Sequence, residues 1–430
     1  MKEAQELTVN IEKVGYGAFG IARHEGQTIF VPGSIPGDKV QISIERDKGR
    51  YAHAKLLSYL DRSPHTKSSP CAYESCGGCQ WLHAKASEQL AWKQSFVRDA
   101  FERIGKLTVP SDYQLIPSPD EFHYRNRVLL RGTVHGDGKI GVGFFKKATK
   151  DQVHIEKCMI ARPVLNQLIE KLSRMEVSVK PQKFRMELQE FEAFSDQTAQ
   201  VSVVIHPVLK HDRSLDLLAE KMRTLPEVIW AGLFHELKKP PFLALEESEG
   251  LSYFSAPGQF FQVNLSHNRR LRSFVKTEVE KTSYADKVLD LFCGSGNLSL
   301  GLAALGKKVV GIETNPIAIE AAKYAVTYNQ LEKCTYKSED ALKYLSKALK
   351  KREHFDVVIV DPPRAGMKEG MSLLREIAPR KIIYVSCDPN TLARDLAVMK
   401  HDYKLESLRS FDFFPNTYHV ETAAVLQLQA

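Results

Sequence analysis

Positions 1–62 alternate apolar and polar residues in short runs, broken by Gly15, Gly17, Gly20, Gly26, Gly33, Gly37, Pro32 and Pro36. A period of two interrupted by turn residues predicts short strands. About five of them in so short a segment predict an OB-like barrel, a scaffold that often binds oligonucleotides. A barrel that only braces its neighbours has the same pattern, and the segment's near-balanced charge does not separate the two. Residues 61–70, DRSPHTKSSP, read as a linker. A helix is predicted over about 86–104, and 120–250 mixes helical and strand periods.

From about position 255 the pattern changes. Apolar runs at 288–292, 308–312, 356–360, 382–385 and 422–428 alternate with helical periods. That alternation predicts a doubly wound α/β sheet, in which ligands collect at the carboxyl ends of the strands. The first run opens VLDLFCGSGNLSLGLAALGKKVVGIETNP, which reads strand, glycine turn, helix, strand, acid. Gly294 and Gly296 let the backbone turn against a ligand, and Glu313 can accept from ribose hydroxyls. Ser299 stands where a dinucleotide motif has its third glycine. A glycine loop and an acidic strand end together point to an adenosine-containing ligand, with S-adenosylmethionine the best candidate.

Three further strand ends carry polar residues. EDALKYL puts Asp340 after the third strand, where an acid can meet an adenine amino group. FDVVIVDPPRAG ends the fourth at Asp361. VSCDPNTLARDL puts Cys387 between a strand and a helix whose N-cap is expected at Asn390 or Thr391, with Leu392, Leu396 and Met399 on one face. A thiol beside a methyl donor suggests a pyrimidine substrate. C5 of uracil is too weak a nucleophile to attack a sulfonium methyl, and thiolate addition at C6 activates it. A base must then remove the C5 hydrogen. In FDFFPNTYHVETAAVL, Glu421 opens an apolar strand and is the candidate, with His419 beside it. Singly, Glu421 is an ordinary strand-end acid and Cys387 a small buried hydrophobe. Their coincidence with the other strand ends favours chemistry.

The chain has 430 residues, enough for two or three domains, and Lys plus Arg (60) exceed Asp plus Glu (52) by 8. The excess suits a polyanion where it is clustered. Within 124–157, Arg125, Arg127, Arg131, Lys139, Lys146, Lys147, Lys150 and Lys157 face only Asp137, Asp151 and Glu156, interleaved with Tyr124, Phe144 and Phe145. Such a stretch fits phosphate contacts and base stacking, or a solvated face. No signal peptide or membrane-spanning run is visible, so a cytoplasmic protein with no membrane partner is expected. Seven cysteines without an export signal argue against a disulfide framework. CAYESCGGC holds Cys71, Cys76 and Cys79, and Cys158 is a plausible fourth ligand. Four thiolates hold zinc or an iron–sulfur cluster, and the spacing favours neither. Cys293 and Cys334 read as packed cysteines.

DLFCGSGN, DPPRAG, YVSCDPNTLARDL, FPNTYHVETAAVL and APGQFFQVN (256–264) resemble the motifs of the RNA 5-methyluridine (uracil-C5) methyltransferases, over the whole chain. The N-terminal segment is similar to a TRAM domain, the RNA-binding barrel of the ribosomal RNA branch. The resemblance implies three domains: an OB-like TRAM barrel over 1–62, a central α+β domain with the cysteine cluster over 63–254, and a Rossmann-like class I methyltransferase domain over 255–430. It implies Cys387 as nucleophile and Glu421 as proton acceptor. It implies that Gln262, Phe292, Asn297, Glu313, Asp340 and Asp361 line the pocket for S-adenosylmethionine and the base. Asp361 is also expected to accept from N3–H of uracil, which selects against cytosine. It implies a [4Fe–4S] cluster on Cys71, Cys76, Cys79 and Cys158. With four cysteine ligands no iron is open for radical chemistry, so a structural role is expected. The expected partner is RNA, 23S rRNA before tRNA, and the expected state is a monomer.

Overall fold

In a computed structural model, the chain is described over residues 5–147, 149–177, 180–192, 199–208, 214–282 and 285–429. Residues 1–4 of the expected barrel lie outside that range. The remainder forms six strands, one more than the pattern predicts. Their order is Glu6–Asn10, Lys39–Asp47, Tyr51–Asp61, Gln27–Pro32, Phe19–His24, Lys13–Gly15. The alternation is explained by Val9, Ile29, Val31, Val40 and Ile42, which point into one small core.

A second six-stranded sheet runs Gln152–His154, Ile140–Phe145, Arg127–Val134, Gln182–Glu192, Ala199–Pro207, Val228–Leu233. The helices Pro163–Ser173 and Ser214–Arg223 bury Leu165, Leu168, Leu172, Leu218 and Met222 against it. The hairpin Leu243–Ser248 and Leu251–Ser255 leads to the helix Leu265–Glu280 and the third sheet.

That sheet has eight strands. The order is Cys334–Ser338, Lys308–Glu313, Lys287–Leu291, Val357–Val360, Lys381–Ser386, Glu421–Leu428, Tyr403–Phe411, Gln114–Ile116. The first five are parallel, and Glu421–Leu428 is antiparallel to Lys381–Ser386. Chain direction across the sheet reverses between Lys287–Leu291 and Val357–Val360. The carboxyl ends of these two strands therefore flank the crevice where such sheets bind ligands. All five expected core runs match strands within a residue at each end, because strands buried on both faces are continuously apolar. The fifth, 422–428, is extended by Glu421 itself.

Residues 86–116 belong to this third body although they precede it by far in sequence. The helix Ala86–Asp99, continued by the π-helical turn Ala100–Gly105, packs Val97, Ala100 and Phe101 into the core of the eight-stranded sheet. Gln114–Ile116 forms the sheet's edge strand. The fully buried Lys93 fixes this helix by donating to Asp412 Oδ1 at 2.5 Å and to the Phe414 carbonyl at 2.9 Å. An uncompensated ammonium there is costly, so the helix and the 412–420 turn are held as one unit.

Asn416 is the hub of that turn. It is buried, with a left-handed φ of 65°. Its carbonyl accepts from the Gln80 and Trp81 amides, both at 3.0 Å, and its amide donates to Gln89 Oε1 at 2.9 Å. Its side chain donates to the Glu121 carbonyl and accepts from Gln89 Nε2. Among the described residues no helix is long and apolar enough to cross a membrane. Asn416→Ala should destabilise the protein by about 2–4 kcal/mol, from two lost buried hydrogen bonds and a methyl group forced into left-handed backbone. A thermal melt should shift downward, and amide exchange at 80–81 should accelerate. An unchanged melt and unchanged exchange would contradict the hub.

Candidate active site

The strand Lys381–Ser386 is buried along its whole length, so it delivers its carboxyl end at a fixed place. The Ser386 hydroxyl accepts from the Asp388 amide at 3.2 Å, turning the chain. Asp388, and neither Asn390 nor Thr391, is the N-cap of the helix Pro389–Leu396. Its carboxylate accepts from both of their amides, while Pro389 takes the first helical position. Cys387 sits between strand and cap, half-buried. Leu392, Leu396 and Met399 are buried as expected, Met399 beyond the end of the helix.

The ladder to the antiparallel strand ends at Ser386 paired with Thr422. The next step faces Cys387 with Glu421, which is 3% exposed. Burial pushes the Cys387 thiol up to about 12, and the Glu421 and Asp361 carboxylates add to the rise while Arg364 opposes it. Glu421 is itself held well above the usual carboxylate range by burial and by Asp361, again opposed by Arg364. Burial raises Asp361 to about 7. Three acidic groups thus share one enclosed corner with one guanidinium. The His419 ring is held down to about 4, by burial first and then by Arg364, Lys93 and Arg125. A buried carboxyl of raised pKa is the stronger proton acceptor of the two, which favours Glu421 over His419 as base.

Arg364 was not singled out from the sequence. Its signal was its place in DPPRAG, directly after a strand-end acid. The loop it rides on is fixed through buried Asp395, which accepts from the Met367 amide at 2.7 Å and the Tyr384 hydroxyl at 2.8 Å. Gly366 has a φ of 76°, and a Cβ there would lie 2.3 Å from Asp395.

The adenosine-side residues gather at the neighbouring strand ends. Gly296, with a φ of 87°, passes so close to Tyr336 that a Cβ would meet its hydroxyl at 2.8 Å. Ser299, in place of the third glycine, contacts that same hydroxyl at 3.1 Å and is fully buried. Phe292 is half-buried in left-handed backbone, a strained state for an aromatic residue. Glu313 Oε1 accepts from the Thr314 hydroxyl and the Asn315 amide. Asp340 is exposed and its Oδ1 caps the helix Ala341–Lys350. Gln262 is nearly buried, and its backbone carbonyl accepts from Asn126.

The Asn297 side chain is engaged elsewhere. It makes a reciprocal amide pair with Asn268, at 2.8 and 2.9 Å, and accepts from Arg272. Its side chain thus fixes the loop to the helix Leu265–Glu280, which the sequence pattern did not foresee. Asp290 was also missed. It lies buried beneath the glycine loop, its carboxyl raised to about 7 by burial and by the charges of Asp361 and Glu313.

Cys71, Cys76, Cys79 and Cys158 line a single cavity of about 620 Å³ between the barrel and the central sheet. Among the described residues, no three His, Cys, Asp or Glu side chains come together as ligands of a metal ion. The cavity wall also carries Arg62, Lys67, Arg125, Lys147 and Lys157. Cys76 Sγ accepts from the Gly78 amide at 3.5 Å. Burial raises the Cys79 thiol to about 12, and the other three cysteines add to the rise. Cys293 and Cys334 pack beside Ile319, Ala322 and Tyr336 as expected.

The basic stretch divides. Lys139, Lys146, Lys147, Lys150 and Lys157 are exposed, and so is Phe145 under Arg131. Arg127 instead pairs with buried Glu187 at 2.5 Å. Tyr124 is no stacking platform: it is 3% exposed and its hydroxyl donates to the Pro415 carbonyl.

Comparison with known proteins matches residues 243–429 to the family tRNA (Uracil-5-)-methyltransferase and residues 2–57 to the TRAM domain. The 23S rRNA (uracil(1939)-C(5))-methyltransferase RlmD of Shewanella amazonensis is 31% identical, over 99% of this chain and 97% of that protein. An RNA methyltransferase of Aquifex aeolicus is 32% identical, over 98% and 99%. The crystal structure of Pyrococcus abyssi tRNA (uracil-54, C5)-methyltransferase with S-adenosyl-L-homocysteine superposes with a TM-score of 0.70 at 25% identity, over 98% of this chain and all of that one. With its TRAM barrel and its S-adenosylmethionine-binding fold, this chain belongs to the RNA uracil-C5 methyltransferases.

Proposed function

We propose that the protein methylates C5 of a specific uridine in 23S rRNA through a covalent bond from Cys387 to C6. The observation that carries this reading is the register that faces Cys387 with Glu421 at the mouth of the crevice, with Asp361 at the adjacent strand end. Gln262, Phe292, Asn297, Glu313, Asp340 and Asp361 line the cofactor and base pocket, and the Asn297 amide also fixes its glycine loop to Asn268. S-adenosylmethionine supplies an electrophilic methyl group and a sulfonium charge that favours nearby anions.

Cys387 gives up its proton to solvent water as its sulfur bonds to C6. The electron pair released onto the ring lets C5 take the methyl group, and the methyl–sulfur bond breaks to leave S-adenosylhomocysteine. Glu421 removes the C5 proton, the C6–sulfur bond breaks, and its pair restores the ring double bond. Asp361 accepts from N3–H of uracil and meets a lone pair on cytosine. Arg364 balances the two carboxylates.

The choice of 23S rRNA is supported by the full-length relatives named for it. The tRNA reading is favoured by the full-length likeness to the Pyrococcus abyssi enzyme. Cells lacking this protein should lose 5-methyluridine from one or two 23S rRNA positions, and a gene carrying Cys387→Ala should not restore it. Loss from tRNA alone would move the target there. No loss from either RNA would overturn the function.

The cysteine cavity fits a [4Fe–4S] cluster. Its four thiols line a space larger than one ion needs, with a backbone amide donated to sulfur and cations to balance an anionic centre. Cys71, Cys76, Cys79 and Cys158 would hold it in a structural role, since the loop of the first three is bound to Asn416 through Gln80 and Trp81. Anaerobically purified protein should carry iron and sulfide with brown absorbance, and Cys158→Ser should lose both and fold in lower yield. Stoichiometric zinc without iron would overturn the assignment.

A further inference from the structure

The barrel reaches into the active site through one side chain. The turn after Lys13–Gly15 carries Tyr16, followed by Gly17 and Ala18 with left-handed φ values of 101° and 64°. The tight turn pushes Tyr16 out of the barrel. Its ring meets Phe96 of the helix Ala86–Asp99 edge-on at 5.7 Å and Tyr418 edge-on at 5.3 Å. Tyr418 in turn lies 4.1 Å from His419, two residues before Glu421. The Tyr16 hydroxyl is 3.4 Å from the Cys387 carbonyl, across 371 positions of sequence, and borders the Asp388 carboxylate. Burial and those negative neighbours keep the hydroxyl protonated, so it donates.

One barrel residue thus touches both active-site segments: the peptide that carries the thiol and the turn that leads to the carboxyl. Val14, Ala18, Ile35, Trp81, Ala84 and Phe96 form the apolar seat beneath it. A barrel that served only as an RNA handle would need no hydroxyl at this point.

We propose that Tyr16 is a positioning residue for Cys387, through which the docked barrel sets the orientation of the nucleophile. The proposal rests on the reading of Cys387 as nucleophile. It predicts that loss of the hydroxyl slows bond formation to RNA without weakening RNA binding.

The test uses the full chain, S-adenosylmethionine, and transcripts of 23S rRNA and of tRNA made with 5-fluorouridine. A base cannot remove fluorine from C5, so the RNA stays joined to sulfur and is counted on a denaturing gel. Tyr16→Phe keeps the ring in its seat and should melt as the wild type does. At saturating RNA its joining rate should fall about five- to tenfold, the loss expected of one neutral hydrogen bond. The half-saturating RNA concentration should stay unchanged. Tyr16→Ala, which also empties the seat, should lose more. A wild-type rate for Tyr16→Phe, or a defect confined to the half-saturating concentration, would overturn the proposal. Cys387→Ala, run alongside, should join no RNA. If it does join RNA, the nucleophile reading falls, and that failure is distinct from a normal rate in Tyr16→Phe.

Discussion

The antiparallel ladder between Lys381–Ser386 and Glu421–Leu428 ends at Ser386 and Thr422, and its next step faces a thiol with a carboxyl. The register cannot slip without turning Ile382, Val385, Ala423 and Val425 out of their cores, so hydrophobic burial fixes the chemistry. The same burial sets the electrostatics. It makes charge expensive at Cys387, Glu421 and Asp361 together.

Around this pair the chain is tied inward from distant segments. Lys93, Trp81, Gln89 and Tyr124 all bind the 412–416 run that precedes Glu421. Asp395 ties the Arg364 loop to the helix after Cys387. The cysteine loop, the first long helix and the barrel therefore converge on one turn of the catalytic sheet.

The sheet was legible because buried parallel strands are continuous apolar runs, and strand-end ligation follows from the fold. The strand-end places of Cys387, Glu421 and Asp361 were legible because polar residues there interrupt apolar runs. What stayed hidden was long-range. No local period says that 86–105 and 114–116 pack with a sheet that begins at 287. Tyr124 reads as an exposed aromatic among cations, and only the fold shows it buried. The pairing of the Asn297 amide with Asn268, on a separate helix, has no local sequence signal either. The cap at Asp388 was misjudged by two or three residues because Asp, Asn and Thr all suit that position.

Trapping of RNA on Glu421→Gln tests the facing of thiol and carboxyl most directly. The amide leaves Cys387 free to add at C6 and C5 free to take the methyl group, and elimination then stalls. The account predicts a methylated RNA joined to the protein, seen as a slow band on a denaturing gel and absent when Cys387→Ala is added. Release of 5-methyluridine by Glu421→Gln at the normal rate, with no joined RNA, would contradict it.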